Sequence, residues 1–118
     1  MLPRRARLRK RHAFERVFQQ GRRVRMATFT LYAYLREDDQ PSRVGIVAGR
    51  QFESPVRRHR AKRRLRAACH ALWSRIAPGY DLVLVAHKPV LHAPFEQIQH
   101  QLIEALTQLG VLKEGGVS

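Results

Sequence analysis

Apolar residues along this chain change their spacing several times, and each change marks an element. Over 12–20, Phe14, Val17 and Phe18 fall at i, i+3 and i+4, the spacing of one helix face, and Gly21 follows where a helix end favours glycine. Residues 24–35 switch to period two, rich in β-branched and aromatic side chains, and predict a strand. Phe29, Leu31, Ala33 and Leu35 share one face; Thr28, Thr30, Tyr32 and Tyr34 share the other. A polar turn over 37–42 leads to a second apolar run over 43–49, so these two runs are expected to form a hairpin. Residues 51–54 fit either a short third strand or an irregular connection.

Ser54-Pro55 is a helix start, an N-cap followed by proline at N1. The helix is expected to reach Ile76, before Pro78-Gly79 stops it. The near-continuous apolar run over 81–87 predicts a strand buried on both faces. Phe95, Ile98, Leu102, Ala105, Leu106 and Leu109 mark a last amphipathic helix over 94–109. Helix, two or three strands, helix, strand, helix is the order of one α+β domain. The first ten residues hold too few apolar positions to pack. The expected organisation is a basic arm over 1–10, a domain over 11–110 and a flexible tail over 111–118.

Charge narrows the function class. The 118 residues include 23 Lys plus Arg against 9 Asp plus Glu, a formal charge of +14. Such an excess repels itself unless anions bind, which points to a polyanion and to nucleic acid before a membrane surface. No run of about 18 apolar residues exists to span a bilayer, and MLPRRARLRKRHAF lacks the apolar core of a secretory signal. The lone cysteine, Cys69, excludes an intrachain disulfide and a multi-cysteine zinc site. Ten of the 23 basic residues lie in 1–25 and seven more in 57–66, opposed only by Glu15. The two clusters are either parts of one binding face or two faces.

Within the second cluster, Leu65, Ala68, Cys69, Leu72, Trp73 and Ile76 form a core stripe. At about 100° per residue from Leu65, Arg66, Arg63, Arg60 and Arg64 fill the opposite arc, near ~100°, ~160°, ~220° and ~260°, with Lys62 at the margin. Carried back, Arg58 would fall on the core side and Val56 opposite it, so the first turn is expected to project beyond the core. There, free N–H donors, the positive helix end and guanidinium forks all favour phosphate oxygens.

Catalytic patterns are missing. The six histidines have no metal-ligand spacing, and Cys69 within the core stripe reads as a buried, inert thiol. There is no nucleophile elbow, phosphate-binding glycine loop or carboxylate pair; Glu53 and Asp81 read as ion-pair or capping residues. Three binding classes remain: a ribonucleoprotein subunit, a structural protein of the ribosome, or a basic DNA-binding module. Against the last, the 57–66 helix carries no Asn or Gln base reader and follows no helix-turn-helix spacing.

Val56-Arg57-Arg58-His59-Arg60-Ala61-Lys62-Arg63-Arg64-Leu65-Arg66 resembles the Arg-Asn-Arg-x-Lys-Arg signature of the bacterial ribonuclease P protein family. Three further segments match in order: Arg7-Leu8-Arg9-Lys10 with Phe14, Val17, Phe18 and Gly21; Phe29-Thr30-Leu31-Tyr32, like the family's first strand, and Arg43-Val44-Gly45-Ile46, like its second; and Asp81 to Ala86 followed by Lys88-Pro89. The resemblance implies an α-β-β-β-α-β-α fold with a left-handed βαβ crossover (ribosomal protein S5 domain 2-like). It implies a cytoplasmic endoribonuclease in which a catalytic RNA and its magnesium ions remove the 5′ leader from precursor tRNA. The protein, a monomer in a 1:1 complex, would supply no catalytic residue. By position, Arg58, His59, Arg60, Lys62, Arg63 and Arg66 would face the catalytic RNA. Phe14, Phe18 and Tyr32 would line a cleft for the single-stranded leader, with Lys10 near a phosphate and Arg50 at the strand end. His59 stands where the family has asparagine. Val47-Ala48-Gly49-Arg50-Gln51 keeps one basic residue of the family's Ser-Val-Ser-Lys-Lys strand end, Glu53 replaces a glycine and Pro55 an alanine.

Overall fold

The computed structural model describes residues 4–113. Helix α1 (Arg11–Gln20) buries Ala13 and Val17. The apolar run that follows is two strands rather than one: β1 (Arg22–Arg25) turns at 26–28 and returns antiparallel as β2 (Phe29–Leu35), with Arg22 opposite Ala33 and Arg25 opposite Thr30. No Gly, Pro, Asn or Asp marks that turn. Distant residues hold it. The Thr28 N–H and hydroxyl both donate to Gln101 Oε1, at 3.1 and 2.5 Å, and the Thr28 carbonyl accepts from the His87 N–H at 3.0 Å.

Strand β3 (Arg43–Val47) does not pair with β2, so the expected hairpin is absent. Strand β4 (Tyr80–Ala86) lies between them, antiparallel to β2 and parallel to β3, in the order β1-β2-β4-β3. The reason is burial: Leu82, Val83, Leu84 and Ala86 are at most 1% exposed, and only an interior strand has both faces and both edges covered. The 36–42 link crosses the end of β4, where the Arg36 N–H donates to the Gly79 carbonyl and the Gly79 N–H to the Gln40 carbonyl, both at 2.8 Å. Gly79 has φ +93°, and a Cβ there would sit 2.9 Å from the Asp38 carbonyl oxygen, so glycine is required.

Between β3 and β4, a 3₁₀ turn at Arg50–Phe52 replaces the third-strand alternative, and Ser54 Oγ accepts from the Arg57 N–H at 3.2 Å to cap α2 (Pro55–Leu72). A 3₁₀ turn, Trp73–Arg75, carries the chain on to Ile76. Helix α3 (Phe95–Gln108) completes the order α-β-β-β-α-β-α of a single α+β domain with a mixed sheet. Helices α2 and α3 cover one face of the sheet, over Phe29, Leu31, Val44, Leu82 and Leu84. Helix α1 covers part of the other, with Leu8, Ala13 and Val17 around Val83.

Both ends of the described chain differ from a free arm and tail. Ala6 and Leu8 are 2% and 5% exposed, Arg7 bridges to Val44 on the edge of β3, and the Leu8 N–H donates to the Val44 carbonyl at 2.9 Å. Two apolar side chains suffice here because the edge strand offers unpaired backbone groups. At the other end Val111 is fully buried and Leu112 bridges to Ile76. The remainder of the expected arm and tail, 1–3 and 114–118, lies outside the described residues.

Candidate nucleic-acid interface

Sheet register builds a cleft floor on the α1 face. Residues paired across neighbouring strands share a face. One row is Arg23, Tyr32, Val83 and Gly45; the next is Arg25, Thr30, Val85 and Val47. Helix α1 covers the first row. Its fully buried Val17 is core, as expected, while Phe18 is 41% exposed and meets Tyr32 edge-to-face, with centroids 4.9 Å apart at 82°. The half-buried Phe14 ring lies over Gly45, where an added Cβ would come within 2.4 Å of its Cζ. Glycine is needed there for the ring's approach, not for backbone conformation. The second row lies beyond the helix, and His87 extends it, its Nε2 2.8 Å from Thr30 Oγ1. Burial, with the nearby Arg25 charge, lowers the His87 pKa and favours the neutral ring.

Phe18 and Tyr32 are in contact, and Phe14 packs on the same face of the sheet, over Gly45. Lys10 is exposed at the N-cap of α1, one turn before Phe14, and Arg50 is exposed just past the carboxyl end of β3. The register also sets Arg23, Arg25, Val85 and His87 on this face, which sequence reasoning did not single out. A single strand over 24–35 would put Arg25 on the face of Phe29, inside the core; the turn at 26–28 reverses that and sets it beside Thr30. The Arg16 guanidinium lies 4.9 Å from the centroid of the Tyr34 ring.

The second surface is α2. His59, Arg60 and Arg63 are exposed; Arg58, Lys62 and Arg66 are half-buried. Ala61 is the first buried residue of the helix, so the opening turn projects past the core, and Val56 there is 77% exposed. Arg64 is engaged within the fold, donating to the Ala93 carbonyl. Arg66 lines a concavity of about 430 Å³ at the edge of β3 together with Arg7, Arg9 and Phe14. The two basic clusters of the sequence thus meet, as parts of one surface.

A buried carboxylate fixes this frame. Asp81 is fully buried and takes two bonds from Arg43, Nε to Oδ1 at 2.9 Å and Nη2 to Oδ2 at 2.8 Å. Arg36 Nη1 donates to Oδ1 at 2.6 Å and Arg16 Nη2 to Oδ2 at 3.3 Å. Burial by itself would raise the Asp81 pKa, but the guanidinium bonds from Arg43 and Arg36 outweigh it and hold the group below its ordinary value. Asp81 so ties α1, β3 and the 36–42 link to β4, and three of the chain's arginines serve the fold. Glu53 pairs with Lys88 at 3.6 Å. Burial pushes the Cys69 thiol up to about 12, leaving it inert. Among the described residues no group of three or more His, Cys, Asp or Glu side chains could hold a metal ion, and no helix is long and apolar enough to cross a membrane.

A family model described as Ribonuclease P matches residues 2–110. The ribonuclease P protein component of Symbiobacterium thermophilum is 37% identical over 110 residues, covering 93% of this chain and 96% of that protein. That of Geobacillus kaustophilus is 33% identical, covering 93% and 91%. Among solved structures, the RNase P protein of Staphylococcus aureus superposes with a TM-score of 0.79 at 25% identity, over 92% of this chain and 98% of that one. The RNase P protein from Thermotoga maritima does so with 0.72 at 27%, over 83% and 92%.

Proposed function

The chain belongs to the bacterial ribonuclease P protein family, and on that footing we propose how its surfaces serve the protein subunit of an enzyme that processes precursor tRNA. In this reading Arg58, His59, Arg60, Lys62, Arg63 and Arg66 on α2 lie against the catalytic RNA. Lys10, Phe14, Phe18, Tyr32 and Arg50 hold the single-stranded 5′ leader, with the strip from Arg25 to Val47 as floor. The observation that carries the reading is the half-open Phe18–Tyr32 pair beside that strip, with Arg23 and Arg25 along its margin. Aromatic faces next to a basic groove hold single strands without strict sequence readout.

The protein's part is electrostatic and positional. Its cations lower the repulsion between the RNA backbone and the substrate backbone, and its cleft orients the leader. The RNA, not this chain, would hold the magnesium ions, which would supply charge neutralisation and an activated water for phosphodiester hydrolysis. Among the described residues no group of three or more His, Cys, Asp or Glu side chains could hold such an ion, and the buried Asp81 is saturated by three guanidiniums. The β3–α2–β4 crossover takes the left hand, and the protein joins the RNA one to one, as a monomer, in the cytoplasm. Reconstitution tests this. Protein added to a bacterial ribonuclease P RNA should raise cleavage of precursor tRNA at low magnesium, and protein alone should cleave nothing. Absence of stimulation would refute it.

A further inference from the structure

Val56 stands in the most cationic part of the chain, seven Lys or Arg in the ten positions 57–66, yet it is apolar and 77% exposed. The other large exposed apolar side chains among the described residues are 37–49% exposed. Isolated surface hydrophobics are ordinary, but this one is not isolated. With Pro55, His59, Arg63 and Arg66 it lines a largely apolar concavity of about 410 Å³. Val56, His59, Arg63 and Arg66 follow one another at i, i+3, i+7 and i+10, so they form one stripe along α2. A surface built only to neutralise phosphate has no use for a branched apolar residue at that point, where valine also has low helix propensity.

We infer that this concavity receives an unpaired nucleobase of the partner RNA, so that α2 grips one base as well as the phosphates around it. The inference rests on the reading that α2 faces the catalytic RNA. Charge selects the occupant: seven cations and no acid within 57–66 exclude a basic or neutral peptide surface and favour a polyanion. Shape and chemistry select a base within that polyanion. Pro55 and Val56 offer an apolar floor. The His59 imidazole and the Arg66 guanidinium are planar groups that stack on a heterocycle, and the exposed Arg63 and the flanking arginines reach its phosphates. A helical RNA stretch could not insert its bases here, because they are already paired and stacked.

Salt dependence separates the two kinds of contact. Losing a phosphate contact flattens the slope of log affinity against log salt by about one, whereas losing an apolar base contact lowers affinity at every salt concentration and leaves the slope alone. Val56→Ala should therefore weaken binding to a bacterial ribonuclease P RNA by roughly 3- to 10-fold with an unchanged slope. Arg63→Ala should weaken binding and flatten the slope. Base-modification probing at saturating protein should find one unpaired base shielded in the wild-type complex and reactive with Val56→Ala. Because Val56 is 77% exposed, its replacement should leave the melting temperature unchanged. The base contact is overturned if Val56→Ala binds as tightly as the wild type, if its slope flattens like that of Arg63→Ala, or if no base changes reactivity. An Arg63→Ala protein with wild-type affinity and slope would instead remove the assignment of α2 to the RNA, and the inference with it.

Discussion

Replacing Gly45 with alanine tests whether the position of Phe14 sets leader binding. The new Cβ would lie 2.4 Å from Phe14 Cζ and 2.5 Å from Cε1, with Leu8 Cβ at 3.3 Å. Ordinary contact begins near 3.4 Å, so the ring tip must retreat by about 1 Å. The ring is therefore displaced away from Gly45. Overpacking of this kind costs about 1–3 kcal/mol, and exchanging glycine for alanine in a strand returns about 0.5–1 kcal/mol. The net loss of about 1–2 kcal/mol is survivable for a domain with a stability of about 5–15 kcal/mol. The folded variant then carries a misplaced ring. Base stacking on an aromatic is worth about 1–3 kcal/mol, and losing about 1 kcal/mol of it is roughly 5-fold in affinity. The assay is the ratio of dissociation constants for leader-bearing and mature tRNA in the reconstituted complex. That ratio should rise by about 5-fold, with binding of mature tRNA unaffected. In a Phe14→Ala background, Gly45→Ala should have no further effect on the ratio. A lowered melting temperature with an unchanged ratio would mean that Phe14 does not touch the leader.

Asp81→Asn should cost about 3–5 kcal/mol, since it removes the charge that three guanidiniums converge on, and urea unfolding at neutral pH would measure it. Because the folded Asp81 pKa lies below the ordinary 3.8, its contribution is full above that value and is lost as pH falls through the lower folded value. Stability should fall with acid below about pH 4 in the wild type, and Asp81→Asn should lack Asp81's share of that fall. Replacing Arg58, Arg60 and Arg63 together by alanine should flatten the salt slope for RNA binding by about 2–3 from an expected −6 to −7 (about eight phosphates neutralised). Their exposure, with Arg58 half-buried, means melting should hardly change; an unaltered slope would remove them from the interface.

Local pattern was enough to read much of this protein. The helix over α2 was legible from its Ser54-Pro55 start and its apolar stripe, and α3 from its period. The core role of Val17 and the inert state of Cys69 followed from their places in apolar stripes. These are properties of neighbours in sequence, set by helix and strand periodicity and by capping chemistry. Two dense basic clusters also carried the nucleic-acid assignment, because charge density needs no knowledge of the fold.

What neighbours in sequence could not carry is which strand lies beside which. The turn at 26–28 has no turn-forming residue; Gln101 and His87, more than fifty positions away, hold it. The place of β4 between β2 and β3 was chosen by burial of both its faces, a competition among all strands at once. Those two decisions moved Arg23 and Arg25 onto the cleft face, opened the strip beyond α1 and left β3 as an edge for Arg7 and Leu8 to dock on. They also brought Arg7 and Arg9 to Arg66. Local spacing settles which residues are helical, apolar or cationic. Which of them face one another is an outcome of the whole fold, because pairing and close packing are set by contacts between distant segments that no local period records.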